Sequence, residues 1–155
     1  MSQRAQAEMT AEQAAAMLAG ARRMQLATIN PDGTPHLVTM FYTMRAGKIA
    51  FWTYRASQKA RNLARDPRLT CLVEDGEDYF DLRGVQVRGV VSTFDDPATV
   101  AGIGRAVAGG VAAAAGADGL PVDDYVERAA AKRVAYVVQP RRLITWDHRK
   151  LLTAG

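Results

Sequence analysis

The sequence predicts a mainly β fold with flanking helices, in which six or seven antiparallel strands curl into a barrel. Three observations lead there. Short apolar runs of strand length recur along the chain, most of them separated by brief turn signals. Strands joined by short turns pair antiparallel. Glycines inside the longest apolar run, Gly84 and Gly89, mark places where a sheet can bend or bulge and so close on itself.

The elements follow in order. Thr10-Ala-Glu-Gln13 is a capping box, a hydroxyl at the N-cap and an amide three residues on. It opens a helix from Ala11 to Arg22 that carries Ala14, Met17, Leu18 and Ala21 on one face. Met24 to Ile29 reads as a strand and Asn30-Pro-Asp-Gly33 as a turn, with Pro35 to Thr43 as the return strand. Ala46-Gly47 turns the chain into a third strand, Ile49 to Tyr54. A helix from Ser57 to Arg65 follows and ends at Asp66-Pro67, because the residue before proline disfavours helical geometry. Leu69 to Val73 is apolar almost throughout and reads as a central strand.

An acidic turn from Glu74 to Asp81 leads to a long strand, Leu82 to Phe94, with Val85, Val87 and Val91 facing a core. Asp96-Pro97 starts a helix with Val100, Ile103, Val107 and Val111 as its stripe. The Gly/Ala run from Ala108 to Gly119 gives no clear helix end. A short helix around Val122 to Ala131 and strands at Arg133 to Gln139 and Leu143 to Trp146 complete the chain. The expected organisation is one domain, residues 1–155, with an N-terminal helix.

Composition narrows the classes. The chain has 155 residues, 48% of them apolar and 23% charged, which suits a globular protein with a real core. Net charge is +4, from 20 Lys and Arg against 16 Asp and Glu, which suits an anionic small ligand as well as it suits nucleic acid. Basic residues do not cluster with exposed aromatics along one strand, which argues against a nucleic-acid-binding barrel. No apolar run is long enough to cross a bilayer, and no charged start leads into an apolar one, so neither membrane nor leader is expected. Cys71 is the only cysteine, which fits a reducing, cytoplasmic setting. It does not combine with His36 and His148 at metal-ligand spacing, and no metal is expected.

The stretch from Phe51 to Pro67 carries the chemistry. An apolar strand runs into a turn and then a helix whose first turn holds Ser57 and Lys59, with Arg55 just before it. A helix start offers free N–H groups and the positive end of the dipole. A cation there opposes the dipole unless an anion is bound, so the spot reads as a phosphate seat. Alternation puts Trp52 and Tyr54 on one strand face and Phe51 and Thr53 on the other. This strand, with the facing strand from His36 to Tyr42, offers an apolar wall for a flat ring, and Thr39 adds a side-chain donor.

Three stretches in this order carry a family resemblance: Leu26-Ala-Thr-Ile-Asn-Pro-Asp-Gly-Thr-Pro-His36, Lys59-Ala-Arg-Asn-Leu-Ala-Arg-Asp-Pro-Arg68, and the strand Leu69 to Val73. The chain resembles the pyridoxamine 5′-phosphate oxidase-like split β-barrel superfamily, and within it the flavin and deazaflavin oxidoreductases. The resemblance covers about half of the chain, from Met24 to Phe94. It implies a homodimer with cofactor grooves between subunits, and a phosphate held by Ser57-Gln58-Lys59, with Arg55 supplying a guanidinium. The oxidase itself usually carries Arg where this chain has Gln58, and the run from Lys59 is closer to the deazaflavin branch. The implied activity is hydride transfer from reduced coenzyme F420 to an unsaturated small molecule, with FMN as the alternative cofactor. A non-catalytic carrier or sensor of a flavin, haem or tetrapyrrole is the reading from another class. The resemblance also places Trp146 near the cofactor of the other subunit. Catalysis in this family needs no strong acid or base, so no catalytic residue is named; Tyr42, Tyr79 and Arg88 are candidates to line the substrate space.

Overall fold

The computed structural model describes residues 1–117, 119 and 121–153. Seven strands form one antiparallel sheet: β1 (Arg23–Ile29), β2 (Pro35–Phe41), β3 (Thr43–Arg45), β4 (Lys48–Tyr54), β5 (Arg68–Asp75), β6 (Arg83–Phe94) and β7 (Arg133–Asp147). Their order across the sheet is β2-β1-β5-β6-β7-β4-β3, and the sheet curls into a half-barrel. The expected mainly β split barrel is therefore observed, and β5 is interior as expected. Among the described residues five α-helices flank it: α1 (Gln3–Ala7), α2 (Ala11–Gly20), α3 (Gln58–Arg65), α4 (Pro97–Ala114) and α5 (Asp123–Ala130).

Local chemistry explains most boundaries. Thr10 Oγ1 accepts from Gln13 N at 3.1 Å while Gln13 Oε1 accepts from Thr10 N at 3.0 Å, so the capping box forms. Ala46 and Gly47 both adopt positive φ, 49° and 76°, the pattern of a tight two-residue hairpin between β3 and β4. Asp96 Oδ2 accepts from Thr99 N at 2.9 Å, capping α4 ahead of Pro97.

Three elements differ from expectation. The return strand breaks at Tyr42, whose buried side chain donates from Oη to the Leu18 carbonyl at 2.6 Å. Tyr42 thus ties β2 and β3 to the end of α2 and belongs to the core, not to a substrate space. The two expected C-terminal strands are one, β7: Pro140 pairs with Gly89, and a register shift between Arg88 and Gly89 leaves Arg141 as the extra residue of β7. A Cβ on Gly89 would lie 2.3 Å from the Gln139 carbonyl oxygen, so only glycine lets the strands meet there. The short helix α1 was not expected from the pattern. Asp118, within the Gly/Ala run, lies outside the described residues.

Two cores result. The barrel interior packs Met24, Leu26, Phe51, Cys71, Val85 and Tyr136, plugged by Ala14 and Leu18 of α2 and by Leu63 of α3. On the outer face of β4 and β7, α4 and α5 cover Ala50, Trp52, Ala135 and Val137 with Val100, Ile103, Val107 and Val126. Strand β4 is therefore buried on both faces, which is why it reads as a continuous apolar run.

Candidate anion seat and apolar chamber

Residues from β4, β7, α3 and α4 converge where β4 ends. Tyr54 of β4 pairs with Arg133 of β7, and Trp52 with Ala135, so all four share the outer face. The small side chain of Ala135 leaves room for Arg133 to lie across both aromatics. Its guanidinium carbon sits 4.5 Å from the Trp52 ring centre and 4.2 Å from that of Tyr54. Trp52 is held from its other side by α4, where Gly104 approaches so closely that a Cβ would lie 2.2 Å from the ring. Trp52 is thus clamped between a helix backbone and a cation.

Arg133 is short of partners. Its Nη2 is 3.5 Å from the Tyr125 hydroxyl, while its Nε is buried with no hydrogen bond. A buried donor left unpaired is costly, of order 1–3 kcal/mol. The next cation is Lys59, in the first turn of α3. Partial burial, then the positive charge of Arg133, holds its ammonium below the usual lysine range. Among the described residues, neither Lys59 nor Arg133 has a carboxylate within salt-bridge distance.

The helix start is built as the sequence suggests. Ser57 is the N-cap, and its Oγ accepts from Ala60 N at 3.2 Å and lies 3.5 Å from Thr53 Oγ1. Gln58 turns along its own helix, donating to Asn62 Oδ1 at 2.8 Å and accepting from Arg61 at 3.0 Å. Arg55 reaches the Asp95 carbonyl at 3.5 Å, towards the start of α4. Asn62 is fully buried and donates to Thr28 Oγ1 and Asn30 Oδ1, fixing α3 against β1 and its turn.

Beside this seat lies a chamber of about 510 Å³, walled by Thr39, Met40 and Phe41 of β2, by Trp52 and Arg133, and by α4 and α5. Thr39 stands at its edge with its hydroxyl donating to Gln25 Oε1 at 2.9 Å. The fold therefore brings Thr39 and Trp52 to one chamber, with Thr53, Ser57, Gln58 and Lys59 clustered at the helix start. Trp146 is elsewhere. It lies flat on Gly84, where a Cβ would meet its ring at 2.1 Å, and lines a separate 250 Å³ cavity with Tyr79 and His148. Gly84 is thus a close-packing glycine rather than a bulge.

Arg133 and the α4 wall are absent from the sequence-based site. The alternation of the Arg133 to Gln139 strand does put Arg133 on the same face as Ala135. Only the pairing of β7 with β4 shows that this face meets Trp52.

No group of three or more His, Cys, Asp or Glu among the described residues is placed to hold a metal ion. The donor set does suit a phosphorylated aromatic cofactor: two cations without counter-charge, a capped helix start, an unpaired buried N–H and an apolar wall with aromatic faces.

Comparisons with known proteins show the family and the fold. The family model for pyridoxamine 5′-phosphate oxidase matches residues 10–147. The conserved hypothetical protein Rv2991 of Mycobacterium tuberculosis is 38% identical with a TM-score of 0.85, over 97% of this chain and 92% of that one. An F420 reductase is 26% identical with a TM-score of 0.59, over 83% of this chain and 93% of that one. The heme binding protein of Mycobacterium smegmatis shares the fold at 18% identity and a TM-score of 0.63, over 94% of this chain and 61% of that one. No curated protein matches the sequence.

Proposed function

Because the chain belongs to the pyridoxamine 5′-phosphate oxidase family, we propose that it is an oxidoreductase that uses reduced coenzyme F420 to reduce an unsaturated small organic molecule. One observation carries this reading: Lys59 stands in the first turn of α3, partly buried, beside the Ser57 cap and without a carboxylate partner among the described residues. A cation so placed opposes the helix dipole unless an anion is bound there. Lys59, the Ser57 cap and the free N–H groups of α3 would hold the cofactor phosphate.

When bound, a reduced deazaflavin supplies the hydride. The protein's own task is then positioning. Trp52, fixed by Gly104 and Arg133, gives the chamber a rigid wall. Gln58, standing where the oxidase usually has Arg, is used inside its helix. That argues against the oxidase reaction itself. FMN is the second reading, since the seat recognises a phosphate and both cofactors carry one.

The reading takes the chain as one split-barrel domain that works as a cytoplasmic homodimer. Leu37 and Phe41 stand 66% and 48% exposed on β2, an apolar face suited to a second copy. No described helix is long and apolar enough to cross a membrane. Cys71 is buried, its thiol pushed up to about 12 by burial, and is inert.

Parallel fluorescence titrations with F420 and FMN test the seat. Lys59→Ala should weaken binding by about 1.5–3 kcal/mol, the worth of a charged hydrogen bond to phosphate. Unchanged affinity rejects the assignment.

A further inference from the structure

We propose that the chamber under α4 is the substrate pocket, and that it takes a compact apolar molecule bearing a single carboxylate, received by Arg133. Its use as a substrate pocket rests on the oxidoreductase reading; the binding itself does not.

Arg133 is the chamber's charged wall residue. Its guanidinium carbon lies 4.5 Å from the Trp52 ring centre and 4.2 Å from that of Tyr54, contacts that hold the group at the wall. Its Nε is enclosed without a partner, so the edge left for a ligand is that of the two Nη atoms, where Nη2 has only the long contact to Tyr125. A planar carboxylate matches such an edge with two parallel hydrogen bonds. Lys59 and the α3 start, which seat the cofactor phosphate, lie outside the chamber wall. The remaining surface is Met40, Phe41, Val107 and Val111 with a row of alanines from α4. It has no second cation for a dianion. Its volume of about 510 Å³ admits a molecule of one or two fused rings rather than a macrocycle.

Naphthalene-2-carboxylate and its neutral carboxamide are suitable probes, measured by calorimetry on the full chain with and without saturating F420 or FMN. Wild type should bind the carboxylate about tenfold more tightly than the amide. Arg133→Gln should abolish that preference, Arg133→Lys should keep part of it, and Ala112→Phe should weaken both probes by filling the chamber. Thermal melts on each variant confirm folding. Equal affinity for the two probes in wild type overturns the proposal. So does displacement of the carboxylate by the cofactor, which would make the chamber the ring's own seat. Lys59→Ala separates the two readings, since it should lose cofactor affinity and keep the carboxylate. Retained cofactor binding in that variant defeats the phosphate seat alone.

Discussion

At the scale of single residues, the site depends on one missing side chain. Gly104 has ordinary helical geometry, so its backbone does not require glycine; the Trp52 ring does. That ring is buried and already pressed by Arg133, so it cannot swing aside as an exposed tip would. Gly104→Ala should therefore destabilise the fold by about 1–3 kcal/mol, the usual cost of overpacking. It should also blue- or red-shift Trp52 fluorescence, because the ring must leave its seat. A variant as stable as wild type would show that α4 yields freely. The same neighbourhood shows what a sequence reveals. Ser57 was legible because capping is local chemistry, written within four residues. Lys59 was legible because a first-turn cation opposes the dipole. Arg133 was not, since its role comes from strand pairing with Tyr54 and from the room left by Ala135.

At the scale of elements, α4 divides into two halves of different character. Its first half carries Val100, Ile103 and Gly104 against β4, all buried. Its second half is mostly Ala and Gly, and a Cβ on Gly109 or Gly110 would meet nothing within 4 Å. Neither packing nor backbone geometry explains these two glycines. Each costs the helix roughly 0.5–1 kcal/mol relative to alanine. The double change Gly109→Ala/Gly110→Ala should raise local helix stability, read as slower amide exchange across residues 107–115, with little change in core amides. Equal exchange in both proteins would mean that contacts rather than propensity set the stability of this half. Other elements were legible to different degrees. Turns and caps stood out because they are short-range signals. The continuity of β7 did not, because Pro140 reads as a break until Gly89 on the neighbouring strand is seen to make space for it. Strand β3 was missed, since only its first residue, Thr43, falls in the run from Pro35 to Thr43 and a bend at an apolar residue such as Tyr42 has no turn signature.

At the scale of the whole molecule, the two ends of the chain are bound to one another by polar contacts at the rim of the half-barrel. Thr145 Oγ1 accepts from Met9 N at 3.0 Å, and Lys150 donates to the Glu8 carbonyl and to Gln13. Asp147 anchors this rim. It is 5% exposed and accepts from Arg149 at 2.8 and 2.6 Å, with Arg83 nearby. The Arg149 hydrogen bonds hold its carboxyl below the usual range, against an opposing push from burial. A carboxylate with a depressed native pKa binds fewer protons folded than unfolded. Its stabilisation is therefore complete above the ordinary aspartate value, about 3.9, and is lost as pH falls through the lower native value. Asp147→Asn should cost about 1–3 kcal/mol at pH 7, because Arg149 loses a charged partner in a half-dry setting. Urea unfolding at pH 7 and at a series of lower pH values measures the consequence. The gap between variant and wild type should be full at pH 7 and should narrow as pH falls below the ordinary aspartate value of about 3.9 towards the lower native one. A gap of constant size would show that Asp147 acts through shape and hydrogen bonding rather than through its charge. The rim would then not contribute to the acid limb of this fold.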